Sequence, residues 1–95
     1  MNNLNDRSNE VYLNHPTFGL LYRICLLKNN QELFTTLYAQ RLFFTVTTAS
    51  DSFSFEPISR TDARMLVESL LRRLLLDREA KKHQQLQAIY QRTFL

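Results

Sequence analysis

The sequence predicts an α+β chain, with antiparallel β-strands first and two antiparallel helices after. Three observations carry this. Between Val11 and Phe55, β-branched and aromatic residues recur in short runs separated by turn-forming residues. Leu33–Val46 is rich in such residues but too long for one strand of about 5–6 residues, so it must fold back as a hairpin. At Ser59 the apolar spacing changes to the three-and-four rhythm of a helix.

In chain order, residues 1–10 are polar and lack a hydrophobic pattern to offset ordering, so they read as a flexible tail. Val11-Tyr12-Leu13 reads as a short first strand. Asn14-His15-Pro16-Thr17 is a turn signal, because proline fixes its own φ and restricts the residue before it. Phe18–Leu27 is the second strand, in which Gly19, the only glycine, would ease a bend or bulge. Lys28–Gln31 is a polar loop with turn-forming asparagines. The hairpin follows as Leu33–Tyr38 and Leu42–Thr47, broken at Tyr38-Ala39-Gln40-Arg41. Alternation sends Leu42, Phe44 and Val46 to one face and Phe43, Thr45 and Thr47 to the other. One face then packs on a core and the other is left for a partner. Phe53-Ser54-Phe55 closes the β part and Pro57 ends it.

Ser59-Arg60-Thr61-Asp62 starts like a capping box, with a hydroxyl at the N-cap and a carboxylate three residues on. Ala63, Leu66, Val67, Leu70, Leu71 and Leu74 then follow at helical spacing. Arg64, Glu68 and Arg72 form an opposite-charge ladder on the exposed side. A break is expected near Asp77, and a second helix carries Leu86, Ile89, Tyr90 and Phe94 on one face. The two helices would bury these faces on each other or on the sheet. The resulting segments are 1–10, 11–58 and 59–95.

Composition narrows the function. A chain of 95 residues fits one domain with a small core. Cys25 is the only cysteine, so there is no disulfide framework; it reads as a small buried core residue and fits a reducing cytoplasm. No apolar leader segment or spanning run is visible, since Arg23, Gln40 and Arg41 interrupt the longer apolar stretches. Residues 59–95 hold eight basic and four acidic side chains, while residues 1–58 hold four basic and five acidic. The positive excess therefore belongs to the helical part, as a solvated face or as a contact for an acidic partner or nucleic acid.

Catalysis finds little support. His15 and His83 are far apart in sequence, and each suits a surface or capping role better than that of a general base. One cysteine and two histidines at these spacings do not make a zinc site, and one glycine cannot form a phosphate-cradling loop. No catalytic, metal or cofactor-binding residue is assigned. Recognition remains. Tyr38, Gln40 and Arg41 cluster at the hairpin break, offering an amphipathic ring, an amide and a rigid cationic fork.

Five segments resemble one family. They are Tyr12–Tyr22, Leu37–Phe44, Phe55–Ile58, Ala63–Val67 and Gln91–Leu95, and the resemblance they carry runs from about residue 10 to the end. They are similar to the PipX family, small cyanobacterial regulators that interact with the PII signalling protein. The resemblance implies a Tudor-like (SH3-like), strongly bent antiparallel sheet followed by two C-terminal helices. It also implies a non-enzymatic transcriptional co-activator that swaps partners. At low 2-oxoglutarate, with ADP favoured, such proteins bind the T-loop of PII. At high 2-oxoglutarate they are released and bind the transcription factor NtcA. The metabolite sites belong to the partners, so no cofactor is expected, and DNA is met only through NtcA. Carried over by position, the partner-binding residues are Tyr12, Phe18, Gly19, Leu20, Tyr38, Gln40, Arg41, Leu42 and Phe44. The exposed helical face is a candidate contact for other transcription components. The alternative reading is a small nucleic-acid-binding Tudor-like module that uses its basic helices.

Overall fold

The computed structural model describes residues 10–38 and 41–95. The residue 1–9 part of the predicted tail lies outside them, as do Ala39 and Gln40. Five strands, β1 (Tyr12–His15), β2 (Gly19–Leu26), β3 (Gln31–Thr36), β4 (Phe43–Thr48) and β5 (Phe53–Ile58), precede two helices, α1 (Arg60–Leu76) and α2 (Ala80–Phe94). The strands pair in sequence order in one antiparallel sheet, curled into the half-barrel of a Tudor-like domain. The chain divides into two compact units, one ending at Pro57 and the other spanning Ile58–Leu95. No described helix is long and apolar enough to cross a membrane.

In the sheet, Phe34 stands between Arg23 on β2 and Phe44 on β4, and Leu33 stands between Cys25 and Thr45. One face gathers Leu21, Phe34, Phe44 and Val46, with Val11, Leu13 and Phe55 packed against them. The other face was expected to stay open for a partner. It does not. Phe43 is 2% exposed against 3% for Phe44, and Leu33, Thr35 and Thr45 beside it are buried too. The alternating threonines read as polar in sequence, but a threonine methyl packs as an aliphatic group while its hydroxyl bonds to backbone. Thr35 Oγ1 donates to the Leu42 carbonyl at 2.9 Å.

Turn chemistry moves several predicted boundaries. β1 runs on through Asn14 and His15, and the turn is Pro16–Phe18. His15 makes this work by capping the turn: its Nδ1 accepts from the backbone N–H of Thr17 at 3.0 Å and of Phe18 at 3.2 Å. Gly19 follows with φ +79° and pairs with His15; a Cβ there would meet nothing, so backbone conformation is its requirement. The β-bulge lies further on, between Arg23 and Cys25, and sets the buried Ile24 as the extra residue. Asn29 and Asn30 both take positive φ, as the tight turn into β3 demands, so β3 begins at Gln31. Pro57 sits inside β5 rather than after it, which an edge strand tolerates because no partner waits for the missing N–H.

In the helical unit, Ser59 Oγ accepts the Asp62 N–H at 3.0 Å, the forward half of the predicted capping box. Ala63, Val67 and Leu71 form the buried stripe of α1, and Leu86 and Phe94 that of α2. α1 ends at the Asp77 C-cap, and Arg78 reverses the chain with φ +59°. Arg60 ties the two ends together. Its guanidinium donates to the Phe94 carbonyl at 2.7 Å and the Thr93 carbonyl at 3.3 Å, and lies 5.5 Å from the Phe94 ring centre. Glu68 makes the predicted i,i+4 pair with Arg64, at 3.8 Å, but it is half-buried at the helix–helix seam, where it also accepts the Tyr90 hydroxyl hydrogen bond. That bond, and then desolvation, hold the Tyr90 hydroxyl above the usual tyrosine range.

Cys25 is buried, and burial pushes its thiol from 9.0 up to about 12. Between these values the unfolded thiol ionises while the folded one stays protonated, so stability falls as pH rises through that window. Cys25 is expected to resist iodoacetamide at pH 8 until denaturant unfolds the sheet. Replacement by alanine should flatten the alkaline fall in melting temperature relative to the parent. Rapid alkylation of the folded protein would contradict the burial.

Candidate functional site

The β3–β4 connection is built from its neck outward. Thr36 N–H donates to the Leu42 carbonyl at 3.0 Å, and Leu42 N–H donates back to Thr36 Oγ1 at 2.9 Å. With the Thr35 hydroxyl on the same carbonyl, three hydrogen bonds close the hairpin at Leu42. A fourth, from Leu37 N–H to the Leu20 carbonyl at 3.1 Å, fastens it to β2. The described residues beyond this clamp are exposed. Tyr38 is 70% exposed, Leu37 and Leu42 are 39% and 38% exposed, and Arg41 is exposed as well.

β1 and β2 extend this surface. Tyr12, 44% exposed, pairs across the strands with Tyr22, their ring centres 5.5 Å apart. Its hydroxyl lies 3.5 Å from Glu10 Oε1. Partial desolvation, then Glu10, Tyr22 and Tyr38, hold that hydroxyl above the usual tyrosine range. Tyr38 therefore stands close enough to Tyr12 to be felt electrostatically.

Phe18 and Gly19 lie at the β1–β2 turn. The Phe18 ring is 43% exposed on top and packs beneath on Phe44 at 5.3 Å and on His15 at 5.0 Å. His15 in turn stacks on Phe44 at 6.0 Å and meets the Phe55 ring edge-on at 5.0 Å. The turn is thereby seated on the sheet core.

Of the nine residues predicted from sequence, Tyr12, Leu20, Tyr38, Arg41 and Leu42 belong to the strand-and-hairpin surface, and Phe18 and Gly19 to the neighbouring turn. Phe44 is buried, so it supports Phe18 from below and offers no surface of its own. Gln40 lies outside the described residues. Sequence reading passed over Leu37, whose signal was an apolar side chain directly before the polar break. It also gave His15 its capping role but not its ring contacts. No described cluster of histidine, cysteine or carboxylate side chains could hold a metal ion. The arrangement offers exposed tyrosines, two leucines and an arginine fork on a fixed frame, the chemistry of protein recognition.

A family model described as "PipX: PII-interacting protein X" matches residues 9–94, nearly the whole chain. No curated protein matches it.

The neck yields a direct test. Thr36→Val removes the acceptor for the Leu42 N–H and is expected to cost about 1–2 kcal/mol. Hydrogen exchange at the Leu42 amide should quicken more than at Phe34. Equal protection in variant and parent would show that the hydroxyl does not hold the hairpin.

Proposed function

Because this chain belongs to the PII-interacting protein X family, we propose that it is a non-enzymatic regulator whose Tudor-like sheet binds two protein partners in turn. Interaction with PII is the property by which the family is described. The second partner in this reading is the transcription factor NtcA, for which the chain acts as co-activator in the cytoplasm of a cyanobacterium. Both partners use the surface of Tyr12, Leu20, Tyr38, Gln40, Arg41 and Leu42, with Phe18 and Gly19 at its margin. The exposure of Tyr38 on an otherwise clamped hairpin supports this most directly. A large ring held in water by a hydrogen-bonded neck pays little ordering entropy on docking.

A shared surface has a thermodynamic consequence. It holds one partner at a time, so occupancy follows the relative affinities and concentrations of the two. ADP on PII favours that complex, and ATP with 2-oxoglutarate on PII dissolves it and frees the chain for NtcA. The chain itself needs no cofactor in this scheme. A contact between its helices and other transcription components is a further element of the reading, supported by their excess of basic side chains.

Calorimetric titration into PII tests it. Binding is expected with ADP and its loss with ATP plus 2-oxoglutarate; absence of binding in both conditions would refute the reading. Tyr38→Ala should weaken the PII and NtcA complexes alike, by about 2 kcal/mol or more, as truncation of a central aromatic anchor does. An effect on one complex alone would mean that the surfaces do not overlap.

A further inference from the structure

The turn between the helices is unlike the rest of the helical surface. Leu75 and Leu76 are 61% and 82% exposed at the end of α1, directly before the chain reverses at Arg78. Helix periodicity places Arg72 and Arg73 one turn back from Leu76, and both are exposed. Lys81 and Lys82 stand exposed in the first turn of α2, which holds no acidic residue. Cations there oppose the helix dipole, so helix stability does not account for them. Basic side chains at the tip outnumber its two acids, Asp77 and Glu79.

An apolar pair among cations needs a counterpart that is both greasy and anionic. We propose that this tip is a docking point for an anionic lipid surface, with the leucines entering the acyl boundary and the basic side chains meeting the headgroup phosphates. A bilayer supplies both halves of that counterpart in one surface, anionic headgroups above an acyl layer that yields around exposed leucines. Nucleic acid would use the cations but leave the leucines in water, since no phenylalanine, tyrosine or tryptophan lies between Leu75 and Gln85 to stack on bases and the His83 ring is half-buried.

Co-sedimentation of the full chain with vesicles tests this at moderate salt, where non-specific charge attraction is weakened. Vesicles of phosphatidylcholine with about 30% phosphatidylserine should bind it at least about 10-fold better than phosphatidylcholine alone. Leu75→Ser with Leu76→Ser should abolish the difference, as should Lys81→Glu with Lys82→Glu, both with unchanged circular dichroism. The chain has no tryptophan, so Leu76→Trp supplies a reporter whose emission should shift to the blue on binding. Failure to bind anionic vesicles would overturn the proposal. So would serine variants that bind as the parent does, an unshifted Leu76→Trp emission, or binding to duplex DNA in place of vesicles.

Discussion

Strand β3 must be buried on both sides at once, and the architecture of the first unit follows from that constraint. Leu33 and Phe34 are consecutive, point to opposite faces, and are 0% and 1% exposed. A flat five-stranded sheet of this size cannot enclose both. Curling encloses the Phe34 side, where Leu21, Phe44 and Val46 meet Val11, Leu13 and Phe55. The bulge at Ile24 adds the local twist that such curling needs. His15, in contact with rings on β4 and β5 from its place on β1, shows how far the sheet bends. Once both faces of the central strands are committed to packing, exposed groups such as Phe18, Leu37, Tyr38 and Leu42 are displaced to the turns and to the hairpin that the strands support.

This displacement is why the site has two kinds of residue. Tyr38, Arg41 and Leu42 present groups to solvent, while Thr35, Thr36 and Phe44 hold them in place. Phe44 illustrates the difference. The sequence resemblance puts it among the expected partner-binding residues, yet its ring packs under Phe18. Its replacement would act through the seating of the β1–β2 turn, and would mimic a binding defect without removing a contact. Charge is divided in the same economical way. The sheet unit is nearly neutral, and the basic excess sits in a helical unit with its own cap, its own buried stripe and its own closing interaction at Arg60.

Much of this was legible in the sequence because local and tertiary preferences agree. The shift to helical spacing at Ser59, the Ser59 cap, the break at Asp77 and the burial of Cys25 each rest on one residue type in one local setting. The legible part of the site was of the same kind, a polar break in an apolar run that picked out Tyr38 and Arg41. What escaped depends on partners distant in sequence. Phe43 reads as an outward residue until its face proves to be apolar on either side. His15 and Pro16 read together as turn, but the imidazole bonds forward and the strand runs two residues past its expected end at Leu13. Pro57 reads as a strand end unless the strand is known to be an edge. Glu68 reads as a solvent charge until Tyr90 arrives from the other helix.

The hairpin neck bears on the proposed regulation. In the proposed scheme one surface serves two partners, and the neck at Leu42 presents the same described groups to each. Selectivity must then come from the partners' own conformations, and the most useful property of the shared surface is constancy. In that scheme a hairpin hydrogen-bonded at its neck serves better than a loop without such a clamp, which would pay a different ordering entropy to each partner. In the proposed competition the clamp of Thr35, Thr36 and Leu42 is thus more than a local stabilising device: it leaves the outcome to the partners' affinities.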